Sequence, residues 1–551
     1  MGATIEAADV PSVQQWTERF TQAYEQIAHH FGRREVRQRA RRYVRGLLSK
    51  VERKNGWQLA EEIGDHDPQG VQRLLNAACW DADEIRNDLR EYVVTHLGDE
   101  ESGILIVDET GFLKKGTKSC GVASQYTGTA GATVNAQVGV FLAYASSQGA
   151  AFIDRALYLP QEWIVDGARR DEAGIPPTTR FTTKITLAQQ LLERAFTAAI
   201  PARWVVADAF YGRSHTFRRW LEAHKQPYVT MIPKSNAVEY RGQREWAEQL
   251  GARLTEAMWI SRSSGPGSQG ERIHDWTCLK LSEPAPPGMA RWLLIRRESE
   301  QSDDHRYWLA YGPAETAVTE LVRVADARWQ VEECFAQAKG EVGLDHYEVR
   351  TWTAWHRFVT LALLAHAFLV VLRLYARREA AGLQLSNGAV ELIPLTVPEV
   401  RRLLLAWREA PERRRFRFAW SRWRRAHQAV ASRCHALRQL RRRHERVNDP
   451  IMLPPARLHT VLSECEWQRV QPVLPPQRPR TGRPRHDHRT VLNGILTVVG
   501  TERSWREMPV EYGKWETAYK RYRLWCDEGR WERIVAALTE KDDGRGAEVM
   551  L

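Results

Sequence analysis

The chain has 551 residues, enough for roughly three or four domains, and its 43% of hydrophobic residues can supply buried cores. A formal net charge of +12 favours a polyanionic partner but does not separate nucleic acid from a membrane surface. The seven cysteines are scattered and form no C-x-x-C pair, which argues against a disulfide framework or a zinc knuckle and indicates a reducing compartment. Since the N-terminus is polar and has no signal-peptide core, we expect a soluble cytoplasmic protein.

The first predicted domain, residues 1–97, is helical. Residues 33–48 form a basic amphipathic segment, and two short helices follow over 56–64 and 69–79. Asp67-Pro68 supplies an N-cap and a first helical position for the second of these helices. Two short helices around a Gly-containing turn fit a helix-turn-helix that binds DNA. A helical domain that only packs remains an alternative, because two-helix spacing is common.

An α/β pattern covers residues 98–232. One apolar run ends in Asp108 and another ends in Asp208, as expected for central strands that are buried on both faces. Two further strand-like segments and an amphipathic helix at 182–199 lie between them. Strands that alternate with a helix predict an α/β domain with a mixed sheet.

Residues 233–320 interrupt this pattern. They contain short strand candidates separated by Gly, Pro and Ser loops, so we expect an inserted β domain. The insertion holds four tryptophans that are either core residues or platforms for stacked bases, namely Trp259, Trp276, Trp292 and Trp308.

Residues 321–378 are predicted to return to the α/β core. Within a helix over 327–339, Arg328, Glu332 and Lys339 project from one side because they lie four and then seven residues apart. Taken alone, this pattern is most typical of a surface helix with an ordinary charge pair. The apolar run at 358–372 is short for a membrane span and predicts a buried core helix.

Three carboxylates in this pattern suggest one site. Asp108 and Asp208 each end a strand, which is where ligands bind in open α/β sheets. One such Asp would more simply cap the next turn. Two of them together with Glu332 supply the charged oxygen ligands that Mg²⁺ prefers, and close carboxylates without a cation would resist joint ionisation.

Four segments resemble, in chain order, the DDE transposases of bacterial insertion sequences. They are DETGFLKKG from Asp108, QVGVFLAYAS from Gln137, DAFYG from Asp208 and RWQVEECF from Arg328. The resemblance covers roughly residues 12–445. It implies an α/β ribonuclease-H-like catalytic core with an all-β insertion, flanked by helical N-terminal and C-terminal DNA-binding regions.

The resemblance also implies roles for single residues. It assigns catalysis and metal binding to the two strand-end aspartates and to Glu332. Glu332 is favoured over Glu333 because the family places three residues between its Arg and Glu and six before its Lys, as at Arg328 and Lys339. That Arg and that Lys would contact DNA phosphates.

Relatives with this insertion stack a flipped base on an insertion tryptophan. Trp308 fits best by position, with base stacking and core packing as its two alternatives. One feature departs from the family, which has a Tyr three residues before its Arg where this chain has Ala325. The phosphate contact of that Tyr would be absent or supplied elsewhere.

Residues 379–449 form an Arg-rich region, with sixteen Arg and three acids between 401 and 446. Interleaved aromatic residues favour a helix that lies on the DNA backbone and adds salt-dependent affinity. A solvated face or a disordered arm is the alternative. The predicted DNA contacts are Arg422, Arg424, Arg425, Arg441, Arg442 and Arg443.

Residues 450–551 comprise a proline-containing linker and an appended helical segment from about 457 to 540. Gly-Arg-Pro-Arg at 482–485 and Tyr-x-x-Tyr-x-x-Trp at 519–525 resemble the N-terminal DNA-binding segment of a second insertion-sequence transposase family. The segment is either an added DNA-binding module or, slightly favoured, the remnant of another mobile element.

The predicted function is therefore that of an insertion-sequence transposase that cuts the ends of its element and joins them to target DNA. We expect two Mg²⁺ ions, with Mn²⁺ as a substitute, and double-stranded DNA as the partner. Synapsis of two ends implies a homodimer, and the location would be cytoplasmic and nucleoid-associated. The alternatives are a catalytically silent or domesticated DNA-binding protein and a structure-specific nuclease without strand transfer.

Overall fold

The computed structural model describes residues 13–267, 270–297, 305–382, 393–406, 418–435, 461–477, 487–501 and 505–539. The chain divides into two compact units, Met1–Ala436 and Leu437–Leu551, and each is described by itself. The first unit has a mixed α/β sheet with helices on its flanks.

In the part of the chain that the structure describes, five helices precede the sheet. Their apolar faces are buried, and α4 packs against α2 and α3. The helices are α1 (Val13–Ala28), α2 (Arg34–Leu47), α3 (Gly56–Glu62), α4 (Gln69–Asn76) and α5 (Ala82–Leu97). The predicted helical character of this region and both short helices are therefore present.

The first part of the sheet carries two parallel strands side by side. Strand β1 (Ile104–Leu113) pairs with β5 (Trp204–Ala207) in parallel, and Val107 is opposite Ala207. On its other side β1 pairs with the antiparallel strand β3. The residues that follow this pair are the two aspartates. The register therefore places Asp108 and Asp208 side by side, where the parallel pairing of β1 and β5 ends.

The remaining elements of this part complete the sheet and cover it. The strands are β2 (Ala123–Thr127), β3 (Ala132–Ser146), β4 (Gly149–Tyr158) and β6 (Tyr228–Ile232). The helices are α6 (Gln161–Val165), α7 (Gly167–Ala173), α8 (Lys184–Thr197), α9 (Ala209–Gly212) and α10 (His215–Ala223).

The inserted segment continues the core sheet. Strand β12 pairs with β6, so the order β6-β12-β11-β10-β9 extends one ten-stranded sheet, while β7 and β8 form a separate hairpin. The elements are β7 (Ala237–Tyr240), β8 (Gln243–Trp246), α11 (Ala247–Ala252), β9 (Ile260–Gly267), β10 (Gly270–Lys280), β11 (Met289–Arg297) and β12 (His305–Pro313). Most of the predicted strands form, and the longer ones join the sheet that precedes them.

Helices return after the insertion. They are α12 (Val318–Asp326), α13 (Trp329–Val342), α14 (Trp352–Gly382), α15 (Val397–Ala406) and α16 (418–435). Within α14, Trp352–Glu379 is long and apolar enough to cross a membrane by length and composition, but 89% of its most apolar window is buried inside the protein. It packs on β4 and α5, as a core helix does.

The second unit has its own hydrophobic core. Helix α17 (Glu464–Val470) begins with a capping box between Ser463 and Glu466. Helices α18 (His488–Thr501), α19 (Trp515–Asp527) and α20 (Arg530–Thr539) follow and bury Leu492, Ile495, Trp525, Trp531 and Ile534.

Candidate active site

The two predicted aspartates occupy neighbouring positions, but the prediction that Asp108 ends a strand is wrong, because β1 continues past it to Leu113 and only Asp208 follows its strand. Asp108 follows the last β1 residue that pairs with β5, and Asp208 follows β5 directly. Asp208 caps α9, because its Oδ1 accepts the backbone N–H groups of Phe210 at 2.9 Å and Tyr211 at 3.3 Å. Asp208 therefore caps the next helix, as a single Asp at this position would. Its second oxygen, Oδ2, takes no part in these bonds.

The pKa values report how close and how buried these groups are. Burial and the nearby Asp208 raise the pKa of Asp108 to about 8, although Arg328 acts in the opposite direction. Burial and the carboxylate of Glu109 likewise raise the pKa of Asp208. Two carboxylates that resist joint ionisation need a cation or a proton, and two acidic oxygen donors on rigid elements fit a divalent metal ion.

Helix α13 brings the third carboxylate. The Arg328 guanidinium lies 3.7 Å from Asp108 Oδ2 and donates a hydrogen bond to Glu332 Oε1 one turn further on. The side chain of Glu332 is 58% exposed, so a ligand can reach it. Glu333 instead accepts a hydrogen bond from Gln337 at 2.8 Å on another side of the helix. Arg328 therefore links the β1 aspartate to Glu332, not to its neighbour.

Lys339 lies on α13, two turns beyond Glu332, and its side chain contacts the face of β1 that carries Asp108. Its Nζ donates to Thr110 Oγ1 at 2.8 Å, and Thr110 shares a strand face with Asp108 because side chains alternate. Burial lowers the pKa of Lys339. Phe335, between the two cations, packs on Phe141 and Phe152 with ring centroids 5.3 and 4.7 Å apart and so seats the helix on the sheet.

Glu109 and its partners were not predicted. Glu109 points to the opposite face of β1 from Asp108, where its Oε1 pairs with Lys184 Nζ at 3.0 Å. Its Oε2 and the Tyr211 hydroxyl are both buried. Burial and Glu109 hold the pKa of Tyr211 well above its ordinary value. The only sequence signal was the second acid of the Asp-Glu pair.

Trp308, which was predicted either to stack on a DNA base or to pack in the core, is buried in the structure. The side chain of Trp308 is 3% exposed, and its ring lies 5.0 Å from that of Trp276 and 5.5 Å from the Arg296 guanidinium. This surrounding favours the core alternative for Trp308. Ala325, at the position of the missing Tyr, is also buried.

Three of the six predicted Arg contacts lie on α16. Arg424 forms an ion pair with Glu399 at 2.6 Å, and burial lowers the pKa of Arg425. Arg422 is on the same helix, beside the exposed pair Trp420 and Trp423. Arg441, Arg442 and Arg443 lie outside the described residues.

Comparisons with known proteins match three segments of the chain. Residues 26–254 match the family described as DDE superfamily endonuclease, and residues 175–368 match the family described as transposase DDE domain. Residues 462–535 match the family described as "Putative transposase of IS4/5 family".

Individual relatives agree with these matches. The chain is 27% identical over 282 residues to "Probable transposase for insertion sequence element IS701" of Microchaete diplosiphon, which covers 48% of this chain and 70% of that protein. It is 37% identical over 87 residues to "Insertion element IS402 uncharacterized 16.2 kDa protein" of Burkholderia cepacia, which covers 15% of this chain and 59% of that protein.

One similar solved structure is the cryo-EM structure of a piggyBac transposase synaptic complex with hairpin DNA. The sequence identity is 12% and the TM-score 0.38, over 76% of this chain and 86% of that one.

Proposed function

We propose that this chain, which belongs to the DDE transposases of insertion sequences, cuts the ends of its element with divalent metal ions held by Asp108, Asp208 and Glu332. Domains of this type are DNA-cleaving and generally use divalent metal ions. The observation that carries the proposal is that Arg328 contacts both Asp108 and Glu332, while Asp208 lies next to Asp108 where the pairing of β1 and β5 ends.

The oxygen donors favour Mg²⁺, with Mn²⁺ as a substitute. We infer two ions, because one carboxylate at each of three rigid elements suits a shared pair better than a closed cage around one ion. Bound there, the two ions would activate an attacking water and stabilise the leaving oxygen of a phosphodiester. Asp108 must lose its proton to act as a ligand.

Two cations of α13 would hold the DNA backbone. The Arg328 fork can bind a phosphate through two donors, and Lys339 can act as a point charge beside Thr110. Both lie on the side of the helix that faces β1, so a phosphate held by them would lie against the carboxylates. Cleavage requires the scissile phosphate to be positioned next to the metal ions, and these two cations would hold it there.

The wider architecture fits the same proposal. The mixed sheet would be a ribonuclease-H-like core, and β7 to β12 its β insertion. The N-terminal helices and α16 would bind double-stranded element ends and target DNA. Joining a freed 3′-hydroxyl to target DNA requires two ends held together, and we therefore propose a homodimer, located on the nucleoid in the cytoplasm.

The second unit matches a different transposase family from the first. Two roles remain for it, an added DNA-binding module or a folded remnant of another mobile element. Its own hydrophobic core means that it can fold in either case. Removal of 450–551 separates them, since a module would lower affinity for element ends and a remnant would leave that affinity unchanged.

The test uses duplexes that carry the DNA flanking each side of the gene, incubated with Mg²⁺ and a target plasmid. We expect both nicks and joined products from the wild-type protein. Asp108→Ala, Asp208→Ala and Glu332→Gln should each abolish nicking while end binding persists. Electron paramagnetic resonance of added Mn²⁺ reports metal binding independently, and wild-type nicking by any of the three variants would remove that residue from the site.

A further inference from the structure

The exposed face of α4 has an unusual composition. Val71, Leu74 and Leu75 are buried against neighbouring helices. The opposite face is exposed and follows helical spacing, with Gln69, Gln72, Arg73 and Asn76 at successive steps of three, one and three residues. The helix contains no acidic residue. Amides and a guanidinium without any carboxylate are the side chains that recognise the edges of DNA bases.

We propose that this face of α4 enters the major groove of the element end and reads its bases, an inference that rests on the proposed function. Gln72 offers the paired donor and acceptor that match N6 and N7 of adenine, whereas the Asn76 amide already donates to the Gln72 carbonyl oxygen at 2.9 Å and accepts from Thr351 at 3.2 Å. Arg73 offers the fork that matches O6 and N7 of guanine. Helix α4 is the second of the two short helices, which is the one that lies in the groove when such a pair binds DNA.

The surroundings of α4 suit the DNA backbone on either side of the groove. Helix α2, which packs against α4, carries six Arg and one Glu. Of the two acids before α4, Asp65 pairs with Arg39 at 3.2 Å and Arg42 at 3.6 Å, and Asp67 accepts the backbone N–H of Gln69 at 2.8 Å. Backbone contacts by such cations hold a recognition helix in register without selecting a sequence.

The reading face is fastened to the catalytic core. Thr351 donates a hydrogen bond to the side-chain oxygen of Asn76 at 3.2 Å. The Arg357 guanidinium donates to the carbonyl oxygens of Leu75 at 3.2 Å and Trp80 at 2.5 Å, just beyond the end of α4. Both donors follow the catalytic helix α13 in the chain, and both belong to the first compact unit. The bases read and the bond cut should therefore be a fixed distance apart.

That distance can be approximated along β1. From Asp108 to Lys114 the strand rises about 20 Å. Lys114 Nζ donates to the carbonyl oxygen of Tyr347 at 3.0 Å, and Tyr347 lines a cavity of about 340 Å³ together with Gln72 and Asn76. Since duplex DNA rises about 3.4 Å per base pair, the bases read should lie roughly six to ten base pairs from the cut.

The experiment selects duplexes from a library with 20 randomised base pairs, using the full-length protein. Wild-type protein should enrich a motif that contains adenine and guanine positions. Arg73→Ala should lose roughly 5- to 150-fold of the preference at one guanine, and Gln72→Ala a similar factor at an adjacent position. The matched controls Arg219→Ala and Gln161→Ala change exposed residues of α10 and α6 and should enrich the wild-type motif.

A second readout separates this inference from the proposed function. When two base pairs are inserted between the motif and the nick, the nick should stay at its original distance from the motif. If Arg73→Ala and Gln72→Ala enrich the wild-type motif, or weaken all sequences equally as phosphate contacts would, α4 does not read bases. If wild-type protein selects a motif that these variants lose but cuts nothing, the base-reading surface stands and the cutting activity fails.

Discussion

Asp108→Asn should stabilise the metal-free protein at neutral and alkaline pH although it removes a proposed catalytic group. Asp108 has a pKa of about 8 in the folded protein against an ordinary value of 3.8, because it is buried and faces Asp208. Below pH 3.8 both folded and unfolded chains carry the proton, so the two proteins should be about equally stable. Between these two pKa values only the unfolded wild-type chain ionises, and this favours unfolding as the pH rises.

The magnitude follows from linkage. Each pH unit within that window costs the wild-type protein about 1.4 kcal/mol relative to the variant, which cannot ionise. Between pH 5 and pH 8 the difference in the free energy of unfolding should grow by about 4 kcal/mol at most. The Asp108 side chain is only 15% exposed, so solvent screening reduces this figure little.

The assay is urea denaturation of both proteins in EDTA at pH 5, 6, 7 and 8, followed by repetition in Mg²⁺. Saturating Mg²⁺ should narrow the difference at pH 8, because an ion at 100 times its dissociation constant stabilises only the protein that binds it, by about 2.7 kcal/mol. Asp171→Asn, at an exposed position of α7, is the control and should show no growth with pH. Parallel pH dependences of wild type and Asp108→Asn in EDTA would refute the reasoning.

Three further changes test neighbouring conclusions. Glu332→Gln should abolish nicking and weaken Mn²⁺ binding, whereas Glu333→Gln should retain both. Equal losses of nicking in the two variants would contradict the choice of Glu332 over Glu333 as the metal ligand. Asp154→Ala should lower the free energy of unfolding by about 3–5 kcal/mol in urea, because it leaves Arg86 and Arg194 without the buried carboxylate that they contact at 2.9 and 2.8 Å. Trp308→Ala should cost about 3–5 kcal/mol by the same assay, and a stable variant defective only in end binding would instead support base stacking.

The core of the site was predictable because it depends on local patterns. An apolar run that ends in an acid predicts a buried strand, and the parallel pairing of two such strands brings Asp108 and Asp208 side by side, although β1 itself continues to Leu113. Helical spacing places Arg328 and Glu332 on one side of α13, and the structure joins them there. The family assignment that followed from these segments is confirmed by the matches to DDE domains.

The rest depends on contacts between distant residues, which no local pattern records. Lys184 begins a helix 75 residues after Glu109, and only the packing of α8 on β3 and β4 brings the two charges to 3.0 Å. The alternation of apolar and polar residues predicts a strand but not the sheet that it joins. The pairing of β12 with β6 could therefore not be predicted from the sequence. Trp308 shows the same difficulty, since the sequence pattern of a strand does not reveal whether its aromatic side chain faces solvent or, as here, another tryptophan.

Arg328 connects the stability of the site with its chemistry. In the metal-free protein its guanidinium lies between Asp108 and Glu332 and supplies part of the positive charge that these carboxylates need. The same guanidinium is proposed to bind a DNA phosphate, and it cannot neutralise both groups fully. It becomes available to the phosphate once the carboxylates have another counter-charge. We therefore infer that metal binding precedes tight engagement of the scissile phosphate.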